Sequence, residues 1–203
     1  MLYSTKLNTL FSVSIGVALL STLSLSDEID NSYFIDTTIG VNNSVESQKN
    51  SIGDITRNSI DEDGYNIGIA LGYKYTDNIS FKTSYKRVTL DDIHKDNIYL
   101  GVQYSLEKIN NFTPYLAIDL GYSKLNWDTQ PINNVVKSDY KSGSYLIGMT
   151  AGISYELNNN LALITNYQLE LMNHSTNLKI DSSTLELQHK ISHDINMGIR
   201  YSF

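Results

Sequence analysis

The chain has 203 residues, a length that suits a single domain. It has no cysteine, which excludes a disulfide framework and any thiolate metal site. Its formal net charge of −7 and its pI near 5.0 argue against nucleic acid as a partner. Tyrosine is common, at 15 residues against 5 phenylalanines, and this aromatic bias favours strands and membrane interfaces.

The N-terminal segment has the features of a secretory signal peptide. Lys6 supplies a basic start, a short apolar stretch follows it, and Ser24 and Ser26 form a small-x-small cleavage site. A transmembrane anchor is the alternative, but the apolar stretch is short, rich in Ser and Thr, and followed by no basic stop signal. We therefore expect residues 1–26 to be removed and residues 27–203 to form the mature domain.

The rest of the chain predicts strands. No further apolar run approaches the roughly 20 residues that a spanning helix needs. Eight segments instead alternate between an apolar or aromatic residue and a small or polar one, which is the period of a strand. Tyrosines flank the aliphatic centre of the second and sixth segments, as in a lipid-facing band with an aromatic girdle at each rim. The eight segments are 33–41, 65–75, 79–85, 98–106, 116–122, 145–157, 161–171 and 195–203.

The connections between these strands alternate in length. Three are short and rich in Asn or Asp, as tight turns require: Thr76–Asn78, Glu107–Asn111 and Asn158–Asn160. Four are longer and polar, at about 43–62, 88–96, 125–142 and 173–184. This layout predicts an all-β fold, an eight-stranded antiparallel up-and-down transmembrane β-barrel with short periplasmic turns and long outer loops.

A soluble barrel would show the same alternation with its apolar rows turned inward. Three features favour apolar rows that face lipid. The polar rows are rich in Gly, Ala and Ser, which suits a narrow lumen; aromatic residues gather at strand ends; and the last strand stops on an aromatic residue. We therefore expect a membrane barrel.

The last strand carries a hydrophobic row that ends on an aromatic residue: Ile195, Met197, Ile199, Tyr201 and Phe203. It resembles the C-terminal assembly signal of bacterial outer-membrane barrels. The segment 114–122 (PYLAIDLGY) resembles a strand of the small outer-membrane β-barrel family that includes the OmpA transmembrane domain and the opacity-type surface proteins. The resemblance implies an outer-membrane location and recognition of the last strand by the barrel-assembly machinery.

The same resemblance sets the expected partners. They are outer-membrane lipid, lipopolysaccharide and an extracellular ligand, and the barrel is expected to be a monomer. Full-length OmpA carries a periplasmic domain after its barrel, whereas this chain ends with the barrel, so a cell-wall tether is not expected.

Eight strands enclose an interior that side chains can fill. Burying an unpaired charge is costly, so we expect the inward charges to pair into a polar plug, with Arg200 facing Asp119 or Glu156. A narrow ion channel is the alternative, but a general porin needs about 16 strands. The inward rows carry Asp36, Lys74, Lys82, Lys86, Gln103, Asp119, Glu156, Gln168, Glu170 and Arg200.

The expected function is a structural or surface-interaction role. One alternative is adhesion to a ligand through the loops 43–62 and 125–142, since binding residues concentrate on loops held by a rigid scaffold. Another is a lipid-A-modifying enzyme that would use histidines near the outer rim. No recognisable motif surrounds His174-Ser175, His189 or His193, so no enzymatic activity is expected.

Two further features complete the expectations. The acidic clusters 61–63 and 91–92 have the hard oxygen ligands that suit a divalent cation. Solvated charge is the simpler interpretation, so no metal or cofactor is expected. Trp127 is expected at the membrane rim, where tryptophan is enriched.

Overall fold

The computed structural model of the chain describes residues 32–48, 60–91, 93–127, 141–180 and 183–203, so the segment 1–26 lies outside the described residues. No helix in the described ranges is long and apolar enough to cross a bilayer. The strands are β1 (Tyr33–Gln48), β2 (Ile60–Lys74), β3 (Ile79–Leu90), β4 (Ile93–Ser105), β5 (Phe112–Trp127), β6 (Lys141–Glu156), β7 (Leu161–Ile180) and β8 (Ser183–Ser202).

The strands form one closed meander. Each pairs antiparallel with the next in the chain, and β1 also pairs with β8, so the barrel has the order β1 to β8 with no free edge. At this seam Phe34 lies opposite Ser202 and Asp36 lies opposite Arg200. Closure gives the backbone N–H and C=O groups hydrogen-bond partners within the sheet. A sheet surrounded by lipid needs this, because lipid chains offer no hydrogen bonds. The predicted eight-stranded antiparallel barrel is confirmed.

Three tight connections lie together at one end of the barrel, the turn end. In the first, the Thr76 hydroxyl accepts hydrogen bonds from the backbone N–H groups of Asn78 and Ile79. In the third, the Asn158 side-chain oxygen accepts the N–H groups of Asn160 and Leu161. These side-chain oxygens accept hydrogen bonds from backbone N–H groups that have no backbone acceptor within the turn. The connections between β1 and β2, β3 and β4, β5 and β6, and β7 and β8 lie at the opposite end, the loop end.

The outward face carries an apolar band that stops sharply towards the loop end. On β5 the outward row runs through Leu116, Ile118, Leu120 and Tyr122, each half-exposed or more, and the next outward residue is Lys124. The same change from an apolar or tyrosine residue to a polar one follows the outward rows of the other strands. The changes occur at Val41/Asn43, Tyr65/Asp63, Tyr85/Arg87, Ile98/Asp96, Tyr145/Gly143, Leu171/Asn173 and Ile195/His193.

Beyond this band the pattern reverses, because the apolar residues now point inward. Val88, Ile93 and Leu125 are fully buried, while their chain neighbours Arg87 and Lys124 are exposed. The barrel therefore continues past the apolar band as a short sheet with a polar outer face, and its interior combines these apolar side chains with buried polar ones such as Lys95 and His174.

This extension corrects the predicted loops. The segment 88–96 is largely strand, since β3 runs to Leu90 and β4 starts at Ile93, and 173–184 is largely strand as well. The predicted loops 43–62 and 125–142 are also shortened by strand at both ends. The expected rim position of Trp127 is wrong: the ring is buried inside the extension, where its Nε1 donates to the Thr176 hydroxyl at 3.2 Å.

The facing of the apolar band can be tested by placing an arginine in it. Ile118→Arg puts the charge near the middle of the band, and Thr89→Arg puts it on the outer face just beyond the band. We expect Ile118→Arg to lower the free energy of unfolding from lipid vesicles by about 2–4 kcal/mol, and Thr89→Arg by at most about 1 kcal/mol. Urea titration measures both, and equal small costs would contradict a lipid-facing band.

Candidate functional site

The centre of the barrel holds a buried network of charges. Lys86 from β3 lies between Glu170 of β7 and Asp194 of β8; it donates to both carboxylates, at 2.7 Å to Asp194. Tyr99 from β4 also donates its hydroxyl to Glu170. The Nδ2 group of Asn42 donates to Asp194 at 2.7 Å. Asn66 of β2 donates to the same Asp194 oxygen at 2.8 Å, so six strands meet at one cation and two anions.

A second pair lies closer to the turn end. Arg200 grips Asp36 with two parallel hydrogen bonds of 2.7 Å, from Nε and Nη2, and Nη2 also reaches Gln103 at 3.1 Å. The guanidinium lies 4.0 Å from the centre of the Phe34 ring. Arg200 was expected to pair with Asp119 or Glu156; it faces the interior, but its partner is Asp36, its direct neighbour across the β1–β8 seam.

A third pair joins Lys82 to Asp119, with Nζ and Oδ1 3.4 Å apart. The Thr150 hydroxyl reaches the other carboxylate oxygen at 3.4 Å. Gly101 makes room for this carboxylate, because a Cβ on residue 101 would stand 1.9 Å from Oδ1 of Asp119. A side chain there would therefore push the anion away from its cation.

At the loop end a fourth cation, Lys95, is fully buried and donates to the hydroxyls of Ser44 and Ser192 at 2.7 and 3.2 Å. His174 lies beyond the apolar band, in the extension of β7, with Nε2 2.8 Å from the Ser123 hydroxyl. Burial, with Lys95 and His189 nearby, lowers the pKa of His174 to about 4. This imidazole is therefore neutral at physiological pH.

The remaining predicted interior residues lie nearer the turn end or between these layers. Glu156 pairs with Lys108 at the mouth, where both side chains are more than two-fifths exposed. Lys74 borders the same mouth, and Gln168 accepts a hydrogen bond from Lys86 at 3.0 Å. The cavity beside the central network has a volume of only about 60 Å³, while the open turn-end mouth has about 380 Å³.

The predicted assembly row lies on the outer face of β8. Ile195, Met197 and Ile199 are exposed along the apolar band. Phe203 exchanges two backbone hydrogen bonds with Tyr33, and its ring stacks on Tyr33 at 6.2 Å between centroids. The C-terminal strand is thereby joined to the first strand at the turn end.

The histidines named above lie on both faces of the barrel wall. The hydroxyl of Ser175, next to His174 in the chain, donates to Glu186 at 2.8 Å. His193 faces outward, where its Nδ1 contacts the Tyr167 hydroxyl. His174 does meet Ser123, but both are fully buried inside the barrel. The described ranges also contain no group of three His or carboxylate side chains suited to a metal ion.

Sequence reasoning missed Asp194 and Lys95. Both lie on inward rows, but each fell in a segment assigned to a connection or outside a strand. The signal that could have found them is a change in which alternate positions are apolar. Up to Tyr85 the apolar residues of β3 occupy odd-numbered positions, which face outward, whereas Val88 and Leu90 occupy even-numbered positions, which face inward. Following that change would have extended the strands beyond the apolar band.

A closed eight-stranded barrel with an apolar outer band, tyrosine rims and a charged, paired interior defines an outer-membrane β-barrel. The model of the Opacity family porin protein matches residues 72–203, well over half of the chain, so the chain belongs to that family. Its location is the outer membrane, where the turn end of such barrels faces the periplasm and the loop end faces outward.

Two solved structures have the same architecture. Neisserial surface protein A is 18% identical over 84% of this chain and 97% of its own, with a TM-score of 0.61. OprG from Pseudomonas aeruginosa is 13% identical over 85% of this chain and 96% of its own, with a TM-score of 0.66. At these identities the likeness shows the fold alone. Among curated proteins none matches the chain.

The Asp36–Arg200 pair offers a direct test of the paired interior. Asp36→Ala leaves a buried guanidinium without its carboxylate, so we expect the free energy of unfolding to fall by about 3–5 kcal/mol. The double variant Asp36→Leu with Arg200→Met removes both charges and should cost less than Asp36→Ala. Urea titration in vesicles, followed through the fluorescence of Trp127, measures each value.

The exposed Lys108–Glu156 pair is the matched control. Glu156→Ala breaks an ion pair in solvent, so its cost should stay within about 1 kcal/mol. If Asp36→Ala cost no more than Glu156→Ala, the interior pairing would not contribute to stability as described.

Proposed function

We propose that this outer-membrane barrel is a surface scaffold with a closed lumen, and that its two longest connections, 49–59 and 128–140, carry an interaction outside the cell. The observation that supports the closed lumen is the buried Lys86–Glu170–Asp194 network across the middle of the barrel. An ion that crossed this level would have to displace paired charges, which is costly in a poorly hydrated interior.

The loop-end extension supports the same proposal. Above the central network, the buried apolar side chains of Val88 and Leu125 lie opposite Lys95, which is itself fully buried. A permeating cation would meet a buried positive charge at this level, and apolar side chains beside it would offer no ligands. The family is a family of porin proteins, and we infer that this chain departs from open-channel behaviour because paired charges and buried side chains fill its lumen at successive levels.

A role outside the cell fits the same features. The strands β1, β2, β5 and β6 continue beyond the apolar band as paired sheet up to the start and end of the segments 49–59 and 128–140. Rigid scaffolds with long connections are a common arrangement for binding proteins. Catalysis has less support, because the imidazole that contacts a serine hydroxyl, His174, is enclosed in the barrel wall and out of reach of a lipid substrate.

The closed lumen predicts no channel activity. Full-chain protein inserted into planar bilayers should produce no discrete conductance steps under conditions where a 16-stranded porin does, because only wider barrels leave an aqueous path. The shift between boiled and unboiled samples on a gel confirms that the inserted protein is folded. Reproducible ion-selective steps from the folded protein would contradict the closed lumen and favour the narrow-channel alternative.

The surface interaction can be tested by shortening the two connections. Replacing 49–59 or 128–140 with an Asn-Gly turn keeps the flanking strands paired, since this dipeptide suits a two-residue hairpin. We expect cells that carry either variant to lose binding to a panel of immobilised matrix proteins and glycans that the parent binds. A third variant, with residues 49–59 in scrambled order, controls for length and charge.

Equal binding by the parent and both shortened variants would contradict a role of these connections. Retained binding by the scrambled variant would mean that composition, not sequence, attracts the ligand, which would contradict specific recognition.

A further inference from the structure

The wall formed by β5 and β6 carries an unusual group at the upper edge of the apolar band. Tyr122 and Tyr145 lie directly opposite each other across the two strands, with ring centroids 5.9 Å apart. Tyr145 is 86% exposed, the highest value among the exposed large hydrophobic side chains described. The next outward positions are Lys124 on β5 and, on β6, Gly143 and then Lys141. Two cations thus follow two tyrosines towards the loop end.

The register brings these two lysines close together. Lys124 lies opposite Gly143, and Lys141 is two residues further along the same face of β6. Such diagonal neighbours are about 7–8 Å apart at the backbone, within reach of two long side chains. Gly143 has no side chain, and the Tyr122 hydroxyl lies 1.9 Å from where its Cβ would be. A hydroxyl donor therefore stands beside both lysines.

Neither lysine is engaged within the part of the chain that the structure describes: Lys124 and Lys141 make no ion pair or hydrogen bond with another described residue. The acid nearest in register, Asp96, lies opposite Lys124 but is held by Arg87 at 3.6 Å and by the Tyr85 hydroxyl at 2.6 Å. His94 lies 4.0 Å from the same carboxylate. Among the described residues, the wall therefore has two exposed positive charges without an ion-pair partner, on a chain whose net charge is −7.

Their height matches the headgroup layer of the outer leaflet. Tyrosines mark the interface between hydrocarbon and headgroups. One outward step along a strand covers about 7 Å, which a tilt of about 40° reduces to about 5 Å of height. The headgroup layer is roughly 5–7 Å thick on each side. Lys124, one step above Tyr122, thus lies at the level where lipid phosphates are found. Lys141 is two steps above Tyr145, about 10 Å in height, so its long side chain must extend towards the membrane to reach the same level.

We propose that Lys124, Lys141 and Tyr122 bind a phosphate of the phosphorylated glycolipid, lipid A, of the outer leaflet. Ammonium groups and a hydroxyl supply charge-assisted and neutral hydrogen bonds to phosphate oxygens. The same wall presents exposed Leu120 and Ile147 directly below the tyrosines, where acyl chains of the bound lipid would pack. A lipid that carries both phosphate and acyl chains can contact the lysines and the apolar residues below the tyrosines, whereas free phosphate can contact only the lysines and the Tyr122 hydroxyl.

The test compares binding of three probes to the folded full chain in detergent micelles by native mass spectrometry. The probes are bisphosphorylated lipid A, dephosphorylated lipid A and inorganic phosphate. We expect the parent to prefer bisphosphorylated lipid A, and the double variant Lys124→Gln with Lys141→Gln to weaken that binding by about a hundredfold. This is about tenfold for each charge-assisted contact removed. The arginine double variant K124R/K141R should retain binding.

The matched control is Lys108→Gln with Lys190→Gln, which removes two exposed positive charges elsewhere on the barrel. It should leave binding unchanged. Equal weakening in both double variants would overturn the site in favour of general charge attraction. Equal binding of phosphorylated and dephosphorylated lipid A would also overturn it, and full competition by inorganic phosphate at the same concentration would identify a free-anion site rather than a lipid site. The gel shift on heating verifies folding of every variant.

Discussion

The requirement that every backbone N–H and C=O find a partner in lipid governs this protein. A sheet meets the requirement only when it closes. Here β1 and β8 pair to close it, and their register begins with Phe34 opposite Ser202. Closure in turn forces every second side chain into a narrow interior. The outer band, the paired charges and the filled lumen all follow from that division of each strand into a lipid-facing row and an enclosed row.

The enclosed row explains why charges occur in pairs at several levels. Lys86 with Glu170 and Asp194, Arg200 with Asp36, and Lys82 with Asp119 each join strands that lie far apart in the chain. Each pair repays part of the desolvation of its members through close contact and added hydrogen bonds. The pairs also tie strands together, so they help to specify the register. A lumen that is closed as proposed would leave the outer surface as the place for a specific activity.

The number of strands, their order and the turn-end connections could be predicted from the sequence, because alternation and turn residues are local signals. The inward facing of Arg200 followed from the parity of the last row, but its partner did not. Which residue faces Arg200 depends on the closing of the barrel and on the β1–β8 register, which no local pattern contains, so the sequence does not distinguish Asp36 from Asp119. The loop-end extension was missed for another reason. An amphipathic strand reverses its apolar face when it leaves lipid for water, and in the sequence the change between Tyr85 and Val88 resembles the end of a strand. Lys95, Asp194 and the buried Trp127 all lie in the region where this reversal occurs.

The change of the apolar residues from the outer to the inner face along β5 tests the account most directly. Because the chain has no cysteine, an introduced cysteine is the only residue that a thiol-specific label modifies. Single cysteines introduced at each position from 116 to 127 of β5 can carry a nitroxide, and power-saturation spectroscopy compares its access to oxygen with its access to a water-soluble nickel reagent. Labels at 116, 118, 120 and 122 should favour oxygen, labels at 124 and 126 should favour the nickel reagent, and labels at 125 and 127 should be reached poorly by both. Continued oxygen preference at 124 and 126, or free aqueous access at 118 and 120, would contradict a lipid-facing band that ends at Tyr122.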